Sequence, residues 1–112
     1  MAADRKLPLP TSIARALVEI GQGLRTARLR RKQTAGDLAD RIGVSTPTLL
    51  KLERGDPGVA LGTFVTALWV LNLLQPVQEA VSPERDRIAG ALEALHAPKR
   101  ARRRRDHDLD HL

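Results

Sequence analysis

The sequence contains no cysteine, which excludes a disulfide framework and thiolate chemistry and fits a reducing cytoplasm. Aromatic side chains make up 2% of the chain, Phe64 and Trp69 with no tyrosine, too few for modes that stack bases on aromatic platforms. There are three histidines and no glycine-rich phosphate loop behind a strand. No nucleophile–base set can be assembled, so neither an enzyme nor a cofactor is expected. A membrane span is not expected either. The longest uncharged stretch, residues 57–78, is broken by Gly62, Thr63, Thr66, Asn72, Gln75 and Pro76. Its apolar part is short for a hydrocarbon layer of about 30 Å, and it reads as a buried helix. The first residues lack a charged segment followed by an apolar run, so no signal peptide is expected.

What the chain does have is positive charge, unevenly placed. Its 112 residues, enough for one domain and an appended element, carry a net charge of +6. Residues 1–33 hold eight basic and two acidic side chains, residues 34–98 five basic and eight acidic, and the block KRARRRR at 99–105 six basic. The middle of the chain is therefore acidic. Any grip on a polyanion would come from Arg25, Arg28, Arg30, Arg31 and Lys32, from Arg54, and from the basic block. The alternative for each arginine cluster is a solvated helix face, and cations are favoured at a helix C-terminus in any case.

Residues 34–54, TAGDLADRIGVSTPTLLKLER, are the most informative segment. Thr34 is a good N-cap, and Asp37 three residues on makes a short version of the capping box. Ala35, Leu38, Ala39 and Ile42 form an apolar stripe, and Gly43 can take the left-handed conformation that ends a helix. Val44 plugs the corner. Ser45 caps a second helix with Pro47 in its first turn, where a missing N–H costs little. Leu49 and Leu52 face inward, and Gly55 closes the segment. Two short helices joined by a tight turn are the layout of a DNA-reading helix-turn-helix; an ordinary helical hairpin is the alternative. Thr, Pro and Leu make a mostly apolar reading surface. Thr methyls and Leu suit thymine methyls, and Lys51 suits guanine O6 and N7.

The order and spacing of GxxLRxxR (Gly21, Leu24, Arg25, Arg28), DLAxxxGVS (from Asp37 to Ser45) and LxxLExG (Leu49, Leu52, Glu53, Gly55) resemble the Xre/Cro-type family of bacterial and phage repressors, over residues 20–73. The resemblance implies an all-α fold: a five-helix repressor-like bundle with a helix-turn-helix whose third helix reads DNA. Thr46, Pro47, Leu50 and Lys51 would then face base edges with Thr48 beside them. Thr34, Ser45 and Arg54, with Arg28, Arg31 and Lys32, would meet the DNA backbone. The family usually carries a Gln just after the cap of its second helix, bracing a backbone contact; this chain has Ala35.

The first helix starts at Thr11 or Ser12. Ile13, Leu17, Ile20, Leu24 and Ala27 repeat at three or four residues as an inward stripe. In a fourth helix Leu61, Phe64 or Val65, Leu68 and Leu71 repeat likewise. Val65, Trp69, Val70 and Leu73 cover the other sides of that helix, so a second cover is needed. A second copy gives a homodimer meeting at Trp69, Val70, Leu73 and Leu74; the C-terminal helix is the other candidate.

Ser82, Pro83 and Glu84 open that additional C-terminal helix, with Ile88, Leu92 and Leu95 as its stripe and Ala97-Pro98 as its end. The expected organisation is a flexible leader at 1–11, the DNA-binding domain at 12–81, the extra helix at 82–97 and a disordered basic and acidic tail at 98–112. In the tail, Lys99, Arg100, Arg102, Arg103, Arg104 and Arg105 could lie along phosphates or in a minor groove, dock on an acidic partner, or stay solvated. His107 and His111 with Asp106, Asp108 and Asp110 have ligand spacing but lack a second shell, so no metal is expected. The layout beyond residue 73, with a SPERD-like start (residues 82–86) and a PKR-like run (residues 98–100), resembles HipB-type antitoxins. That resemblance implies a dimer that binds a palindromic operator, represses its own operon and sequesters a HipA-type kinase toxin.

Overall fold

The computed structural model describes residues 8–96 as six helices with no strand among them. They are α1 (Thr11–Arg30), α2 (Ala35–Ile42), α3 (Thr46–Glu53), α4 (Leu61–Val70), α5 (Leu74–Ala80) and α6 (Pro83–His96). The all-helical expectation therefore holds, with the extra helix opened at Ser82, whose hydroxyl accepts from the Arg85 N–H. The leader residues 1–7, the basic block and the His/Asp cluster lie outside the described residues. Residues up to Pro76 cluster as one compact unit and those from Val77 as a second.

The first unit is built round Leu38, Leu49 and Leu71, all essentially inaccessible, with Leu24, Leu52, Leu68, Ala27, Ala39 and Ala67 filling the gaps. Val44, Val59, Phe64, Val70, Leu73 and Leu74 pack on this cluster from the rim. In the second unit, α6 buries no residue, and Ile88, Leu92 and Leu95 are exposed.

Helices α1 to α4 all end the same way. Within two residues of each end the backbone turns left-handed, at Lys32, Gly43, Gly55 and Asn72. The next N–H reaches five residues back: Gln33 to Arg28, Val44 to Ala39, Asp56 to Lys51 and Leu73 to Leu68. These bonds satisfy the otherwise orphaned terminal carbonyls. Glycine takes that conformation at no cost and asparagine at little, but Lys32 holds it against the steric preference of an L-residue.

The α1 stripe differs from the periodic reading. Leu24 and Ala27 are buried as expected, joined by Gly21 and Arg28, whereas Ile13 and Ile20 are 46% and 47% exposed. At 1.5 Å per residue α1 is about 30 Å long and α3 about 12 Å, so the amino-terminal turns of α1 outrun the core that would cover them. Leu61 is likewise 73% exposed at the start of α4. Leu17, Ile20, Pro57, Val59, Leu61 and Phe64 line an open apolar groove of about 430 Å³ there.

Helices α1 and α3 touch backbone to backbone. A Cβ on Gly21 would lie 2.8 Å from the Glu53 carbonyl carbon, and one on Gly55 2.6 Å from the carbonyl of Leu17. Neither neighbour is a side chain that can turn away. Gly21→Ala should therefore cost about 2–3 kcal/mol in urea unfolding through overpacking. Gly23→Ala, where nothing lies within 4 Å, should stabilise by about 0.5–1 kcal/mol as an ordinary Gly-to-Ala change inside a helix.

Candidate nucleic-acid interface

Both short helices are fixed by their own ends. At the start of α2 the Asp37 N–H donates to Thr34 Oγ1 at 3.0 Å and the Thr34 N–H donates to Asp37 Oδ2 at 3.1 Å, so the capping box is complete despite the short acid. The Thr34 backbone N–H, followed by the Thr34 side chain, holds the Asp37 carboxyl below the usual carboxylate range. This cap is intact at neutral pH and is lost only as acid protonates Asp37 below the ordinary aspartate range. At the start of α3 the Thr48 N–H donates to Ser45 Oγ at 3.2 Å, and the Ser45 hydroxyl donates to Thr48 Oγ1 at 3.0 Å. Pro47 sits in the first turn. Gly36 lies between the two helix starts: a Cβ there would be 3.9 Å from both Thr34 Oγ1 and Thr46 Oγ1.

The turn places α3 with one side in and one side out. Leu49, Leu52 and Glu53 are buried. Pro47, Leu50, Lys51 and Arg54 are exposed, and Thr46 and Thr48 are half-buried at the helix start. The five residues expected to face bases thus lie on or beside an outward edge rather than in the core. Of the residues expected at the DNA backbone, Thr34, Ser45, Lys32 and Arg54 are all exposed.

Arg28 requires a correction. It is 6% exposed, and its guanidinium is spent inside the fold. Nε donates to Glu53 Oε2 at 2.7 Å, Nη2 to Glu53 Oε1 at 3.0 Å and Nη1 to the Gln33 carbonyl at 3.0 Å. The bonds to Glu53 raise its already high pKa, so it stays charged. A side chain so engaged cannot meet a phosphate. Arg31 is exposed, but its guanidinium donates to the carbonyls of Ala27 (2.7 Å) and Leu71 (2.8 Å), tying the end of α1 to the end of α4. The sequence carried a signal for the buried pair: Arg28 stands four residues after Leu24, and Glu53 four after Leu49, so both charges occupy inward register positions. Gln33 was passed over as well. Its carbonyl anchors Arg28, and its buried Oε1 has no hydrogen-bond partner.

Of the residues expected between two copies, Trp69 is 67% exposed. Val70, Leu73 and Leu74 are half-buried and pack on the core. Among the described residues there is no His/Asp/Glu group suited to a metal and no helix long and apolar enough to cross a membrane.

A buried scaffold that presents one short helix outward, behind a tight turn and a second short helix, defines a helix-turn-helix DNA-binding domain. Comparison with known families agrees: the model of the helix-turn-helix domain matches residues 19–81, more than half of the chain. The chain belongs to that family. No curated protein and no solved structure gives a significant match.

The bidentate Arg28–Glu53 pair has a measurable signature. Arg28→Met leaves Glu53 buried and unpaired and should cost about 3–5 kcal/mol in denaturant unfolding. The double variant Arg28→Met with Glu53→Leu should recover most of that loss, since two apolar side chains of similar volume replace the pair.

Proposed function

We propose that this protein is a sequence-specific transcriptional repressor that binds a palindromic operator as a homodimer. The observation that carries the proposal is the outward edge of α3, where Pro47, Leu50, Lys51 and Arg54 are exposed on a helix capped at both ends and held from behind by the Arg28–Glu53 pair. In this reading α3 enters the major groove with Thr46, Pro47, Thr48, Leu50 and Lys51 toward base edges. Thr34, Ser45, Lys32 and Arg54 meet the sugar–phosphate backbone. A second copy covers Trp69 at the dimer contact, and two-fold symmetry makes the operator palindromic.

Within this class the reading extends to an autoregulating antitoxin of the HipB type that sequesters a HipA-type kinase toxin. Its support is the Ser-Pro-Glu start of α6 and the basic run beginning at Lys99. A second reading, an interaction module that holds a partner protein through its tail and binds DNA weakly, is favoured by two observations. Ala35 offers no side-chain hydrogen bond at the first position of α2, and Arg28 and Arg31 are committed to intramolecular bonds.

A mobility shift on the DNA upstream of its own gene tests the first reading, and the absence of any shifted palindrome at low salt contradicts it. Copurification of a kinase with the full chain, but not with one truncated after Pro98, identifies the partner contact. Two variants separate base reading from backbone grip. Lys51→Ala should relax sequence preference. Arg54→Ala should weaken all sequences alike and lower the log–log salt slope by about one.

A further inference from the structure

The side chains actually available on the outward edge of α3 narrow what that edge can read; this step rests on the DNA-reading role proposed above. The Thr48 hydroxyl accepts from Ser45 Oγ and the Thr48 N–H donates to it, so Thr48 serves the helix start and is half-buried. Thr46 is half-buried beside the start of α2. Pro47, Leu50 and Lys51 remain, exposed at positions i, i+3 and i+4 and so on one face of the helix.

This set contains no amide to pair with adenine N6 and N7 and no carboxylate to accept from the cytosine amino group. Proline has no N–H and leucine no polar atom, so two of the three exposed side chains can make only apolar contacts. Leu50 is 38% exposed and lies outside the apolar cluster of the core. Among the groups that base pairs present in the major groove, the apolar one is the C5-methyl of thymine. Lys51 adds a cation suited to guanine O6 and N7.

We infer that α3 recognises thymine by its C5-methyl group, through a surface formed by Pro47 and Leu50, with Lys51 at an adjoining guanine. At the thymines discrimination then comes from burying a methyl, while hydrogen bonding to a base edge is left to Lys51 at the guanine. Each such contact is worth about a fourfold change in affinity, the value of one buried methyl-sized group.

The test begins by selecting a binding site for the full-length protein from random duplexes. Each thymine of the selected site is then replaced in turn by deoxyuridine, which removes the methyl and keeps every hydrogen-bonding group. One or two positions per half-site should bind about fourfold more weakly. Leu50→Ala, at an exposed site and with an unchanged melting temperature, should bind the thymine and uracil duplexes alike at one of those positions. Indifference of the wild-type protein to every deoxyuridine overturns the inference while leaving DNA binding intact. So does a Leu50→Ala variant that keeps the full thymine preference at every such position. Failure to select any duplex overturns the DNA-reading role itself, and this inference with it.

Discussion

The contact on which the rest of the domain depends is the junction between α1 and the end of α3. Two glycines, Gly21 and Gly55, let the backbones meet without intervening side chains. Over that contact lies the Arg28–Glu53 pair, 2.7 Å at its shorter bond and almost sealed from solvent. An eight-residue helix such as α3 is far too short to persist alone in water, and its existence is owed to packing and to its caps. The third guanidinium bond, to the carbonyl of Gln33, reaches the residue just before the cap of α2. One arginine therefore ties together the end of α1, the start of α2 and the end of α3. A buried ion pair contributes little net stability compared with an apolar replacement, because both ions lose their hydration. Its geometry is nevertheless demanding, and that geometry sets where the outward edge of α3 points.

The same junction redistributes the chain's charge. Five cations stand between Arg25 and Lys32, and by sequence they look like one basic patch. Arg28 is spent on Glu53, and the Arg31 guanidinium on the carbonyls of Ala27 and Leu71. The folded domain thus presents fewer free positive groups than its composition suggests, and its middle segment is acidic. Each guanidinium engaged within the fold is one fewer phosphate contact, and so fewer counterions released on binding a polyanion. The remaining exposed cations near α3, Lys51 and Arg54, gain weight accordingly.

Residues 34–55 were legible because each carries a local instruction: the Thr34 and Ser45 caps, Pro47 in a first turn, Gly43 and Gly55 as terminators, and Leu38, Leu49 and Leu52 at helical spacing. Such signals act within one or two turns and need no knowledge of neighbours. What escaped the reading depends on neighbours. Ile13 and Ile20 keep perfect helical spacing yet stay exposed, since periodicity says which face is apolar and not whether anything covers it. Arg28 looked like a surface cation because its partner lies 25 residues away. Lys32 and Asn72 end α1 and α4 in the conformation expected of glycine, and only the fold shows that they must. The residues named for base contact sit on or beside the outward edge, while Val70, Leu73 and Leu74, named for a dimer, already pack on the core of their own chain.

The central claim is that the outward edge of α3, held by the α1 junction, is the surface that meets duplex DNA. Mapping backbone amide shifts by NMR as a duplex is added to the full-length protein tests it directly. The account predicts that the largest changes fall at Thr34 and from Ser45 to Arg54, with Ile13, Leu17, Ile20 and Leu61 unmoved. Changes centred on the groove between α1 and α4, with α3 silent, would contradict it.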